Sequence, residues 1–150
     1  MSAYPVEIAI EFGFDAAHCF HHADADPSYR RMHGHSFTAE VVIRGLPDAT
    51  SGFVVDFAVL DAATGALRRE LDHALLNDIP GLAIPSLENI AIWIWTRLAP
   101  QFPGLTRVVV RRPSCRQSCT YAGDPAARHS SMGVSDPAGA TPQNAAMASK

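Results

Sequence analysis

The chain has 150 residues, 47% of them hydrophobic, which is the size and apolar content of one globular domain and leaves no room for a second. Twelve basic against fifteen acidic side chains give a formal charge of −3, so the positive field that a phosphate backbone requires is missing and nucleic acid is not an expected partner. Three cysteines, no leader-like N-terminal segment and a longest apolar stretch, around Ile90 to Ile94, too short for a bilayer predict free thiols, no membrane span and a cytoplasmic protein.

Val6 to Phe14 places Ile8, Ile10, Phe12 and Phe14 on one face of a strand, and this run leads directly into Ala16-Ala17-His18. A polar loop with Asp24, Asp26 and Pro27 follows. Phe37 to Ile43 is rich in β-branched residues and ends at the turn signal Gly45-Leu46-Pro47-Asp48, so His33 and His35 stand near the start of a second strand. Gly52 to Val55 reads as a short extended piece. Asp56 is the expected N-cap of an amphipathic helix in which Phe57, Leu60, Thr64, Leu67 and Leu71 recur at helical spacing. Ser86 is the next N-cap, and Leu87 to Leu98 forms a second helix stopped by Pro100 and apolar nearly all round, which calls for burial on most sides, in part against another subunit. Arg107 to Arg112 and Ser118 to Tyr121 supply two last strands. The predicted order is two strands, two helices, two strands, an α+β domain over residues 1–122. From Gly123 onward, Ala, Ser, Pro and Gly dominate without a hydrophobic pattern, as in a disordered tail.

Alternate residues of a strand project from one face, so the imidazoles of His33 and His35 can converge on one cation with Gly34 between them, and His18 on the neighbouring strand supplies a third ligand. Three neutral histidines suit Zn²⁺ and leave one tetrahedral position for water or substrate. His21 and His22 read as solvated loop residues.

Phe14-Asp15-Ala16-Ala17-His18, Met32-His33-Gly34-His35-Ser36-Phe37, Gly52-Phe53-Val54-Val55-Asp56-Phe57, Leu71-Asp72-His73, Leu76 to Leu82, Pro85 to Asn89 and Ile92 to Trp95 occur in an order that resembles the 6-pyruvoyl-tetrahydropterin synthase / 6-carboxytetrahydropterin synthase family. The stretch Leu76 to Leu82 looks most like the bacterial 6-carboxytetrahydropterin synthases. The resemblance covers about residues 6–122 and implies the T-fold, in which subunits join through their sheets into trimers that pair into hexamers, with active sites between subunits. It further implies a carbon-carbon lyase that holds Zn²⁺ and acts on 7,8-dihydroneopterin triphosphate, releasing acetaldehyde and triphosphate on the route to queuosine. Under it, Asp72-His73 becomes a proton-exchanging pair, where the residues alone allow equally a histidine favoured by a helix C-terminus. Glu88 either contacts ligand or simply complements the positive end of its helix. Arg31 either meets a triphosphate oxygen or is solvated.

Two positions depart from the family pattern. The proton-abstracting cysteine that the resemblance implies four residues before His33 is Tyr29 here, and the pterin-anchoring glutamate implied after the third strand is absent from Arg111-Arg112-Pro113-Ser114-Cys115. Cys19 is the nearest thiol by sequence, but a strand continued through His18 points it away. Three functions therefore remain: the carboxytetrahydropterin-forming lyase, a divergent relative with another pterin reaction, and a non-catalytic zinc-binding subunit of the same fold.

Overall fold

The computed structural model describes residues 4–22 and 24–124. Strand β1 (Val6–His18) pairs antiparallel with β2 (His33–Gly45), β2 with β3 (Leu105–Arg112) and β3 with β4 (Gln117–Tyr121), giving a four-stranded sheet in the order β1-β2-β3-β4. Helices α1 (Phe57–Leu71) and α2 (Leu87–Leu98) lie between β2 and β3 in the chain. The composition-shifted segment expected to be disordered lies, from residue 125 on, outside the described residues.

The period of two sorts the sheet into unlike faces. Phe14, Phe37, Ala39, Val41, Ile43, Val108 and Val110 project to one side and form a single core with Leu60, Leu67 and Leu71 of α1 and Leu87, Ile90, Ala91, Ile94 and Leu98 of α2. Both helices thus cover the same face. The opposite face is polar and laced with ion pairs, Arg107 to Glu7 at 3.0 Å and Arg111 to Glu40 at 2.8 Å. Opposite β2, β3 carries a bulge, Val42 facing Arg107 and Ile43 facing Leu105, which returns Leu105 to the core side.

Asp56 and Ser86 cap the helices as their sequence positions predict: the Asp56 carboxylate accepts from Ala58 N–H at 2.8 Å and the Ser86 hydroxyl from Asn89 N–H at 3.2 Å. Gly52 to Val55, read as a short extended piece outside the predicted strand order, joins no strand. The Asp48 carboxylate accepts from the N–H groups of Thr50 and Ser51, and Gly52, at φ +76°, donates to the Asp48 carbonyl, so this stretch leaves a tight turn rather than a ladder. Among the described residues, no helix is long and apolar enough to cross a membrane.

Candidate metal centre and adjoining cleft

His18 faces His33 across the last rung of the β1–β2 ladder, and His35 faces Ala16 one step inward. These positions share the parity of Phe14 and Phe37, so all three imidazoles emerge from the helix-covered face just past the apolar core. Their donor atoms lie within 4.8 Å of one another. The cluster foreseen from spacing is therefore assembled, with His18 1% exposed and the other two partly so.

Backbone carbonyls orient two of the rings. His18 Nδ1 donates to the Pro85 carbonyl at 2.9 Å and His33 Nδ1 to the Arg31 carbonyl at 2.8 Å. Each Nε2 is then an unprotonated lone pair turned to its neighbours, the outer-sphere arrangement that prepares histidine for a metal. His18 Nε2 is buried and has no hydrogen-bond partner among the described residues. A buried acceptor without a donor is rare because its desolvation is not offset, and a cation is the group that fits it here. Burial, opposed by the Pro85 bond and reinforced by the positive charge of His33, His35 and Arg112, lowers the His18 pKa to about 4. Burial and then Arg112 also lower that of His35. Neutral imidazoles are the form that binds metal.

The centre adjoins a cleft of about 530 Å³ lined by Phe20, Tyr29, Glu88, Arg112 and Gln117 among others. Phe20 packs edge-on against His18, with ring centres 4.9 Å apart, and Tyr29 lies 6.3 Å from His33. The residue in place of the implied cysteine thus stands in the cleft. Glu88 enters it from the first turn of α2. Arg31 contributes its carbonyl to His33, and its side chain is not among the cleft-lining groups.

Asp72 and His73 lie elsewhere. Asp72 Oδ1 accepts from Asp15 N–H at 2.9 Å, while Oδ2 stands 3.2 Å from His73 Nδ1 and 3.3 Å from Arg68. The Asp15 bond foremost, then His73 and Arg68, hold the Asp72 carboxyl below the usual carboxylate range. The pair borders a groove with Gly13, Asp15, Ser36 and Thr38, residues of the polar sheet face, and is not brought to the three histidines within one chain. His73 has φ +59° and a side chain 80% exposed.

Cys19 occupies a small hollow with His21, Asn77 and Ile84, outside the cleft, its Sγ 3.1 Å from His21 Nε2. Sequence reasoning passed over three supporting groups. Asn77 accepts from Cys19 N–H at 3.0 Å and donates to Cys19 O at 2.9 Å, fixing the backbone just after His18. Gln117 accepts from Arg112, and Cys115 Sγ lies 3.9 Å from His35 Nδ1. Asn77 left a trace in the sequence as a polar residue inside the motif Leu76 to Leu82, and Cys115 as the end of the segment that departs from the family pattern.

An antiparallel sheet with two helices on one face and a histidine cluster at the strand ends is the T-fold of pterin synthases. A family model described as 6-pyruvoyl tetrahydropterin synthase matches residues 7–124, and the chain belongs to that family. It is 38% identical over 117 residues to a 6-carboxy-5,6,7,8-tetrahydropterin synthase of Synechocystis, covering 74% of this chain and 88% of the relative. It is 40% identical over 91 residues to a dihydroneopterin monophosphate aldolase of Pyrococcus furiosus, covering 61% and 73%. The structure of 6-pyruvoyl tetrahydropterin synthase from Caenorhabditis elegans superposes with a TM-score of 0.71 at 25% identity, over 81% of this chain and 97% of that one.

Proposed function

We propose that this chain is a zinc-dependent, cytoplasmic carbon-carbon lyase that converts 7,8-dihydroneopterin triphosphate to 6-carboxytetrahydropterin, with release of acetaldehyde and triphosphate, on the route to queuosine. The observation that carries the reading is the three-histidine centre with its unpartnered His18 Nε2 at the edge of the cleft. The names of the Synechocystis and Pyrococcus relatives, both pterin enzymes, supply the substrate class.

His18, His33 and His35 hold Zn²⁺. The ion, when bound, polarises side-chain oxygens of the substrate and makes the adjacent C–H more acidic. Glu88 offers a carboxylate to ring N–H groups, and Arg31, whose side chain is not among the groups lining the cleft of one chain, meets a phosphate oxygen as the resemblance implies. Asp72 and His73, at the outer edge of β1, serve a neighbouring subunit's cleft, which makes the active unit a homo-oligomer with sites between copies. Asp72 fixes the ring of His73, and His73 exchanges the proton there.

A second reading, a related pterin reaction on the same scaffold, is favoured by Tyr29 and Arg112. A phenol gives up its proton less readily than a thiol, and a guanidinium accepts no hydrogen bond. Incubation of the zinc-loaded protein with 7,8-dihydroneopterin triphosphate, followed by mass spectrometry of pterins and acetaldehyde, separates the two. The lyase reading expects 6-carboxytetrahydropterin. A different pterin product transfers support to the second reading, and unchanged substrate at full zinc occupancy sinks the lyase reading and leaves a divergent relative with another ligand or a non-catalytic subunit.

A further inference from the structure

Arg112 ends β3 where the chain turns into the short 3-10 segment Pro113–Cys115, and its guanidinium lines the cleft. Its three nitrogens have unequal surroundings. Nη2 donates to Gln117 Oε1 at 2.6 Å, Nη1 lies 3.4 Å from His35 Nε2, and Nε is buried without an acceptor among the described residues. Among the described residues no carboxylate stands within ion-pair distance of it. Its neighbour Arg111, by contrast, is paired with Glu40 at 2.8 Å and Glu11 at 3.5 Å, and Arg107 with Glu7 at 3.0 Å.

A guanidinium keeps its charge at every accessible pH, so this partly buried cation cannot relieve its desolvation by losing a proton. An uncompensated charge in such a place is costly unless a counter-charge arrives. A metal sharpens the imbalance. His35 Nε2 has one lone pair, and if a cation takes it, Nη1 of Arg112 loses its only acceptor while a second positive charge stands close by. Two of the three nitrogens then lack partners on the side of the centre. A carboxylate or phosphate meets both needs, since its oxygens match the planar fork of an arginine and its charge offsets that of the cations.

We infer that Arg112 is a specificity-determining residue that receives an oxyanion of the ligand, carboxylate or phosphate, beside the metal. Its polarity is the reverse of the glutamate implied at this end of the strand, so it selects ligands by an acceptor edge instead of a donor edge. The inference rests on the three histidines being a metal site but not on the identity of the pterin.

Co²⁺ in place of Zn²⁺ supplies a visible absorption band that reports changes at the open coordination position. Titration of the Co²⁺-loaded protein with inorganic phosphate and, separately, with acetate should give saturable spectral shifts. Arg112→Gln should take up Co²⁺ at the same stoichiometry, which shows it folded, yet bind the oxyanions at least about tenfold more weakly. Arg112→Lys, which keeps the charge and loses the fork, should fall between and carries the test if the glutamine variant does not fold. A preference for phosphate assigns the oxyanion to a phosphate ester, and one for acetate assigns it to a ligand carboxylate. Equal oxyanion affinity in wild type and both variants, or no spectral response in wild type, overturns the inference. No Co²⁺ uptake by wild type overturns it together with the metal reading. A protein that passes this test but leaves dihydroneopterin triphosphate unchanged keeps the inference and loses the substrate.

Discussion

At the scale of single residues, His18 and His73 show opposite signs of a functional side chain. His18 is sealed into the structure as a neutral base: its pKa falls from 6.5 to about 4, so between those values the unfolded chain binds a proton that the folded chain refuses. Stability of the metal-free protein should therefore be complete above about pH 6.5 and decline as the pH drops toward 4. Allowing for solvent screening, the loss is about 2 kcal/mol. Urea denaturation of chelator-treated protein across that range checks the sign, and a flat profile would contradict it. His18→Ala should abolish stoichiometric zinc by metal analysis, since two histidines at a strand end hold the ion far less well than three. His73, by contrast, is presented to solvent on a left-handed backbone that a non-glycine residue adopts at a cost of about 1 kcal/mol. His73→Gly removes that strain, so the variant should be as stable as wild type or up to about 1 kcal/mol more stable, and inactive. A clear loss of stability would show that the ring serves the fold through Asp72.

At the scale of elements, the capped helices tie the site to the sheet, because Pro85 just ahead of α2 supplies the carbonyl that orients His18. Ser86→Ala should cost about 1 kcal/mol in thermal or urea unfolding. Gly104→Ala should cost about 1–3 kcal/mol, since a Cβ there would lie 2.5 Å from the carbonyl oxygen of Arg44, rigid backbone beside the β2–β3 bulge. The elements themselves were legible because each carries its own local period and cap: Asp56 and Ser86 start the helices, and the parity that sets Phe14 and Phe37 inward also sets the three histidines together. What stayed hidden depends on contacts between distant segments. Nothing local in Arg112 foretells that His35, 77 residues away, lies beside it. Nor does Leu71-Asp72-His73 reveal that its anchor is the backbone of Asp15, at the outer edge of β1.

At the scale of the whole molecule, the separation of the histidine centre from the proposed Asp72–His73 pair ties the proposed function to the proposed assembly. Among the described residues, no strand pairs with the outer edge of β4, and that of β1 is open only ahead of Gly13, because from Gly13 on it is bonded to Arg68 and to the segment from Asp72 to Leu75. Open edges are templates for pairing with another chain. If the open part of β1 in one copy meets β4 of the next and the rotation closes, a ring forms in which the remaining edges are paired and each cleft gains a neighbour able to present Asp72 and His73. The consequence is measurable without a structure of the assembly. His18→Ala and His73→Ala should each be inactive, one for want of metal and the other for want of its proton exchanger. Unfolded together and refolded at equal ratio, they should regain about a quarter of wild-type turnover, because a site drawing on two adjacent copies is intact only when the first copy keeps its metal and the second keeps its His73. Mixed oligomers without any recovery would place all the required groups of a site in one chain. A fully active monomer in sedimentation analysis would remove the need for a partner altogether.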